Sequence, residues 1–115
     1  MKIHKWDSIP AEQLNPLFSR RVIHSKSVTA AQIHLLKSAV VPLHSHINEQ
    51  MSFLQSGRMR VVVGAEECIM EAGDILEIPP SVPHLVEALE ECIVLDIFTP
   101  VREDWIKGDD AYLRK

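Results

Sequence analysis

Residues 40–50 read Val-Val-Pro-Leu-His-Ser-His-Ile-Asn-Glu-Gln (VVPLHSHINEQ), and the placement of His44 and His46 in this stretch decides the fold. In a β-strand, side chains two apart share a face and climb about 3.3 Å per residue, so both imidazoles reach one point. In a helix the same pair diverges. Pro42 also opposes a helix, because it lacks an N–H and restricts the residue before it. Gln50 and the later His84 offer further donors from two other segments. Nitrogen and oxygen donors converging from separate segments suit a transition-metal ion.

Outward from this stretch the chain is punctuated by Gly and Pro. Strands are expected over 18–23, 29–36, 40–46, 51–55, 58–63, 66–70, 75–78, 84–88 and 92–98. Ser56-Gly57 is a turn signal, so 51–55 and 58–63 read as a hairpin. Only 11–14 and 105–113 have a helical look. Many short strands at regular spacing imply an all-β sandwich or barrel. The chain has 115 residues, 46% of them apolar, which is one domain with room for a core. Residues 1–25 read as an N-terminal arm and strand, and 101–115 as a C-terminal tail. A net charge of −4 with scattered basic residues speaks against nucleic acid. No run is apolar enough for a membrane span or a signal peptide, and a cytoplasmic protein is expected. Cys68 and Cys92 form no CxxC motif and read as small core residues.

Two further positions stand out. Cys92, Val94, Asp96 and Phe98 share one face of the last strand, and a carboxylate there is costly unless paired or functional. Its two readings are an Asp bonded to a nearby donor and a catalytic group. Arg102 follows where the strand leaves the barrel. It reads either as a solvated charge or as a planar fork clamping a substrate carboxylate. On the opposite face, Met51, Phe53, Ile93, Leu95 and Ile97 are too apolar for a solvated surface, so a partner sheet or a twofold homodimer is expected. Trp6 and Trp105 read as packing residues. His4, His24 and His34 read as ordinary surface or core histidines.

The motif resembles those of the cupin superfamily. In the first cupin motif, Ser38 stands at the opening glycine, His44 and His46 at the histidine pair, Gln50 at the acid, and Gly57 at the closing glycine. In the second, Gly73, Pro79 and His84 fit, while Ser81 replaces a glycine and Ala88 an asparagine. The resemblance implies a single-domain jelly-roll barrel over 1–115. It also implies one divalent ion (zinc, nickel, manganese, iron or copper) held by His44, His46, Gln50 and His84. Glu49 points away if Gln50 points in. A neutral Gln leaves the ion's full charge uncancelled, which favours anionic ligands and Lewis acidity.

Residues 40–50 and 95–105 (LDIFTPVREDW) are similar to the pectin-degradation cupins of the KdgF type. That similarity implies conversion of 4,5-unsaturated monouronates, the products of pectin or alginate lyases, into linear 4-deoxy-5-keto-uronates. The metal ligands would be His44, His46, Gln50 and His84, and the other active residues Asp96, Phe98 and Arg102. Ser38 and the pair Ile47-Asn48 depart from the family pattern without removing a chemical group. The alternatives are another metal-dependent cupin enzyme, such as a dioxygenase, and a non-catalytic sugar-binding cupin.

Overall fold

The structure is a computed structural model that describes residues 1–115. Its ten strands are β1 (Glu12–Asn15), β2 (Phe18–His24), β3 (Thr29–Leu35), β4 (Val40–His44), β5 (Glu49–Ser56), β6 (Arg58–Val63), β7 (Glu66–Glu71), β8 (Ile75–Ile78), β9 (His84–Ala88) and β10 (Cys92–Thr99). A four-residue helix, α1 (Glu103–Ile106), follows. Six strands form one sheet in the order β1-β2-β3-β10-β5-β8, and four form the other, β4-β9-β6-β7. Every pairing is antiparallel. This is the all-β jelly roll that the strand spacing predicts.

Strict alternation builds the core between the sheets. Thr29, Ala31, Ile33 and Leu35 on β3 are at most 4% exposed, and Cys92, Val94 and Phe98 lie beside them on the same face of neighbouring β10. Met59 and Val61 close the layer from β6. Burying each large side chain of this kind contributes about 1.5–3 kcal/mol. On the outer face, Met51 pairs with Ile97 and Phe53 with Leu95, and all four are half-exposed, as is Ile93. No helix is long and apolar enough to cross a membrane.

Four expectations fail locally. Residues 51–55 and 58–63 are not a hairpin. β5 pairs with β8 and β10, while β6 pairs with β7 and β9 in the other sheet. The chain crosses between sheets at Gly57, whose φ is +90°. A Cβ there would lie 2.2 Å from the Glu91 carbonyl oxygen, so the glycine serves the crossing rather than a tight reversal. Residues 11–14 are not helical but supply the edge strand β1, pairing Glu12 with Arg20. Tertiary pairing overrides local propensity there. The tail is helical only in α1 and in a 3-10 turn at Ala111–Leu113, with Gly108 at φ +80° between them. Cys68 is exposed on β7, and only Cys92 is a core residue.

The two serines at motif glycine positions are informative. Ser38 has φ +77° and Ser81 φ +65°. Both hold the left-handed conformation that a glycine adopts freely, so each stores backbone strain.

Candidate metal centre

The site forms where the two sheets face each other. β4 and β9 align His44 directly opposite His84. β4 ends at His44, after a register shift between Val41 and His44, so His46 stands in the following loop rather than on the strand. The bulge and loop, not simple alternation, turn both imidazoles inward. Ring centroids lie 4.3 Å apart for His44–His84, 4.9 Å for His46–His84 and 5.7 Å for His44–His46. One ligand atom from each falls within 4.8 Å of the others.

Backbone carbonyls orient all three rings. His44 Nδ1 donates to Pro42 O at 2.7 Å, His46 Nδ1 to Asn48 O at 3.1 Å, and His84 Nδ1 to Val82 O at 2.8 Å. Each Nδ1 therefore carries the proton, and each Nε2 turns a lone pair to the common centre. His84 Nε2 is buried with no partner. Gln50 Oε1, another acceptor, sits 3.0 Å from His46 Nε2. Facing lone pairs and an orphaned buried nitrogen are costly without a cation between them. The donor set fits a divalent transition ion held by three neutral imidazoles. The Gln50 amide is fixed by donating Nε2 to Ser52 Oγ at 3.0 Å, and Ser52 donates in turn to Asp96. Ser52 and Asp96 are register partners on β5 and β10, as are Gln50 and Phe98. Glu49 is exposed and points away.

The Cupin domain profile matches residues 31–98, more than half of the chain. The chain belongs to the cupin family. An RmlC-like cupin from Shewanella frigidimarina NCIMB 400 is 25% identical over 91% of this cupin and 96% of that chain, with a TM-score of 0.86. KdgF from Halomonas sp. is 25% identical over 86% of this cupin and 94% of that chain, with a TM-score of 0.81. Oxalate decarboxylase from Bacillus subtilis shares the fold at 19% identity and a TM-score of 0.77, over 90% of this cupin and 32% of that chain. No curated protein matches.

The electrostatics of the cupin's cavity follow from burial. His44 and His46 are lowered to about 4, by burial first and then by neighbouring positive charge, and burial lowers His84 as well. The imidazoles are therefore neutral ligands at neutral pH. Burial raises Asp96 to about 6, against the opposing pull of the Ser52 and Gln50 hydrogen bonds and the Arg102 charge. Asp96 is thus both bonded to a donor and tuned toward neutral pH.

Arg102 is not a solvated charge: it is 1% exposed. It lines the cavity, but most of its fork is already engaged. Nε and Nη2 grip Asp104 at 2.9 and 2.7 Å, and Nη2 also donates to the Tyr112 hydroxyl at 2.8 Å. Only Nη1 remains for a ligand, so a two-pronged clamp is replaced by a single donor group. The guanidinium lies against the Phe98 and Trp105 rings, at 4.7 and 4.3 Å. Phe98 is 2% exposed and meets His46 edge-on at 5.6 Å. It is core and cavity wall at once.

Sequence reasoning missed several site residues. Ser52 carried no signal beyond facing the same way as Gln50. Asn48 is 2% exposed and donates Nδ2 to Pro100 O and Val101 O at 2.6 and 3.1 Å, tying the ligand loop to the exit of β10. Tyr112 stacks on His44 at 4.8 Å. Trp105 lines the cavity as well as packing, while Trp6 is half-buried near the start of the chain. His24 bonds Thr29 Oγ1 at 2.8 Å and His34 bonds Glu91 at 2.6 Å, both outside the metal centre.

Proposed function

We propose that this cupin is a metal-dependent enzyme that opens 4,5-unsaturated monouronates to linear 4-deoxy-5-keto-uronates. The observation that carries the reading is Asp96. It is a carboxyl group raised to about 6, linked through Ser52 and Gln50 to three inward imidazoles, with the buried Arg102 cation alongside. Similarity to KdgF supports the same assignment.

A divalent ion held by His44, His46 and His84, with Gln50 beside them, would supply Lewis acidity to the sugar oxygens. Ionised Asp96 takes the proton from the anomeric hydroxyl. The C1–O5 bond breaks as the C1 carbonyl forms, and its electron pair stays on O5 as an enolate across C4, C5 and O5. Asp96 then returns the proton to C4, leaving the C5 ketone. The step is an isomerisation and needs no outside reagent. A carboxyl group near 6 is suited to both transfers at neutral pH. Arg102 Nη1 is the donor available to the substrate carboxylate, and Phe98 excludes water from the sugar face.

The test adds lyase-generated unsaturated monouronates to the metal-loaded protein and follows ultraviolet absorbance of the conjugated double bond. Loss faster than the spontaneous rate is expected; loss at the spontaneous rate overturns the reading. We also propose that the outward row of Met51, Phe53, Ile93, Leu95 and Ile97 joins two copies of the chain, because its cross-strand pairs present a continuous apolar face. A monomer in sedimentation at micromolar concentration overturns that.

A further inference from the structure

The residues after β10 form one wall of the cavity. Trp105, Tyr112 and Leu113 lie on its wall beside Arg102. Yet the backbone hydrogen bonds donated by this segment, residues 103–114, all end on residues 101–111, none of them in a strand. Side chains alone hold its last part to the barrel. Asn15 Nδ2 reaches Leu113 O at 3.2 Å, and Arg114 reaches Glu12 at 2.9 Å. Leu113 is 3% exposed in the core. Arg20 and Asp110 form an ion pair in which both side chains are at most 4% exposed. A segment outside the strand ladder and held this way opens at lower free energy than the sheets.

The cavity it lines has about 50 Å³ of space. That holds a few waters at about 10–15 Å³ each, and is far below the roughly 300 Å³ at the lower end of ligand sites. A ligand larger than a few waters therefore needs this wall to move.

We propose that residues 109–115 are a gate, hinged at Gly108 and latched by Arg20–Asp110, which lifts Tyr112 off His44 to admit the ligand. Gly108, at φ +80°, breaks the local helix where the hinge is required. Closure returns the Tyr112 ring to His44 and its hydroxyl to Arg102, so the gate also forms the wall against the bound ligand. The inference goes beyond the uronate reading, since it concerns any ligand of that size.

The test uses the full chain loaded with zinc and needs no turnover. Hydrogen exchange of residues 109–115 and the rate at which a chelator strips zinc are measured in the native protein, in Asp110→Asn and in Leu113→Ala. Both quantities should rise about 10–100-fold in each variant, with exchange in β3 and β10 unchanged. If either variant fails to fold, Arg114→Gln removes the exposed ties to Glu12 and Asp110 and should move both readouts the same way by about two- to three-fold. Faster exchange of 109–115 without faster stripping would overturn the gate. So would exchange that no folded variant changes.

Discussion

The two sides of the cavity are held by different physics. On one side, His44, His46 and His84 are fixed by backbone: a cross-strand register and three ring-to-carbonyl hydrogen bonds. On the other, Asp96, Arg102 and Tyr112 are fixed by side chains: Ser52 on Asp96, Asp104 on the Arg102 fork, and Arg102 on the Tyr112 hydroxyl. Backbone fixing makes a rigid ligand set whose geometry depends little on sequence elsewhere. Side-chain fixing makes a wall whose chemistry is adjustable and whose closure is reversible. A rigid donor set beside an adjustable wall is how one barrel can serve many ligands.

The largest effect is expected where the rigid side is broken. His84→Ala removes a donor that faces its register partner, and metal analysis should find no bound ion, with turnover at the spontaneous rate. Breaking the adjustable side should spare the metal. Asp96→Asn should lower kcat about 10²–10⁴-fold with full metal content, the usual range for losing a positioned acid or base. If the proposed reaction holds, kcat/KM of the native protein should fall as pH drops below about 6, because Asp96 must be ionised to accept the proton. That limb should vanish from the residual activity of the Asn variant.

Acid stability separates the two sides more gently. His44 and His46 fall from 6.5 to about 4 on folding, so below 6.5 the unfolded chain binds their protons first and the metal-free fold loses stability until about 4. Asp96 acts in the opposite sense. Its rise from 3.8 to about 6 means that acidification through that window favours the folded state. Two histidines outweigh one carboxyl group, and lowered His84 adds to them, so urea unfolding of the metal-free protein should show lower stability at pH 5 than at pH 7. Asp96→Asn should widen the difference. The smallest effect concerns the turns that frame the rigid side. Ser38→Gly and Ser81→Gly should each raise stability by about 0.5–1 kcal/mol in thermal or urea unfolding, by relieving left-handed strain.

Most strands were legible because alternation is a local signal: 58–63, 75–78 and 84–88 match the observed β6, β8 and β9 end for end. The ligand histidines were legible because their spacing is short and tied to motif turns, and the positive φ of Ser38 and Ser81 shows those turns to be real. Partner choice was not legible. The turn at Ser56-Gly57 looks the same in sequence whether the chain reverses within a sheet or crosses to the other. The edge strand β1 has helix-compatible residues and forms by pairing with β2 while Leu14 packs into the core. That Asp104, two residues on, engages two nitrogens of the Arg102 fork was not legible either.

The sequence by itself determined the all-β class, the inward row of β3 and β10, and three imidazoles suited to a metal. These follow from periodicity and short spacing, which survive in any register. Only the tertiary structure decided that Ser52 bridges Gln50 to Asp96, that Arg102 spends its fork on Asp104, and that Tyr112 and Leu113 line the cavity. Two of the deciding contacts join residues far apart in the chain, Ser52 with Asp96 across 44 positions and Asn15 with Leu113 across 98, while the short-range Arg102–Asp104 grip depends on where the chain turns after β10. They are fixed by strand order and side-chain packing, and neither is written in the local pattern of the chain.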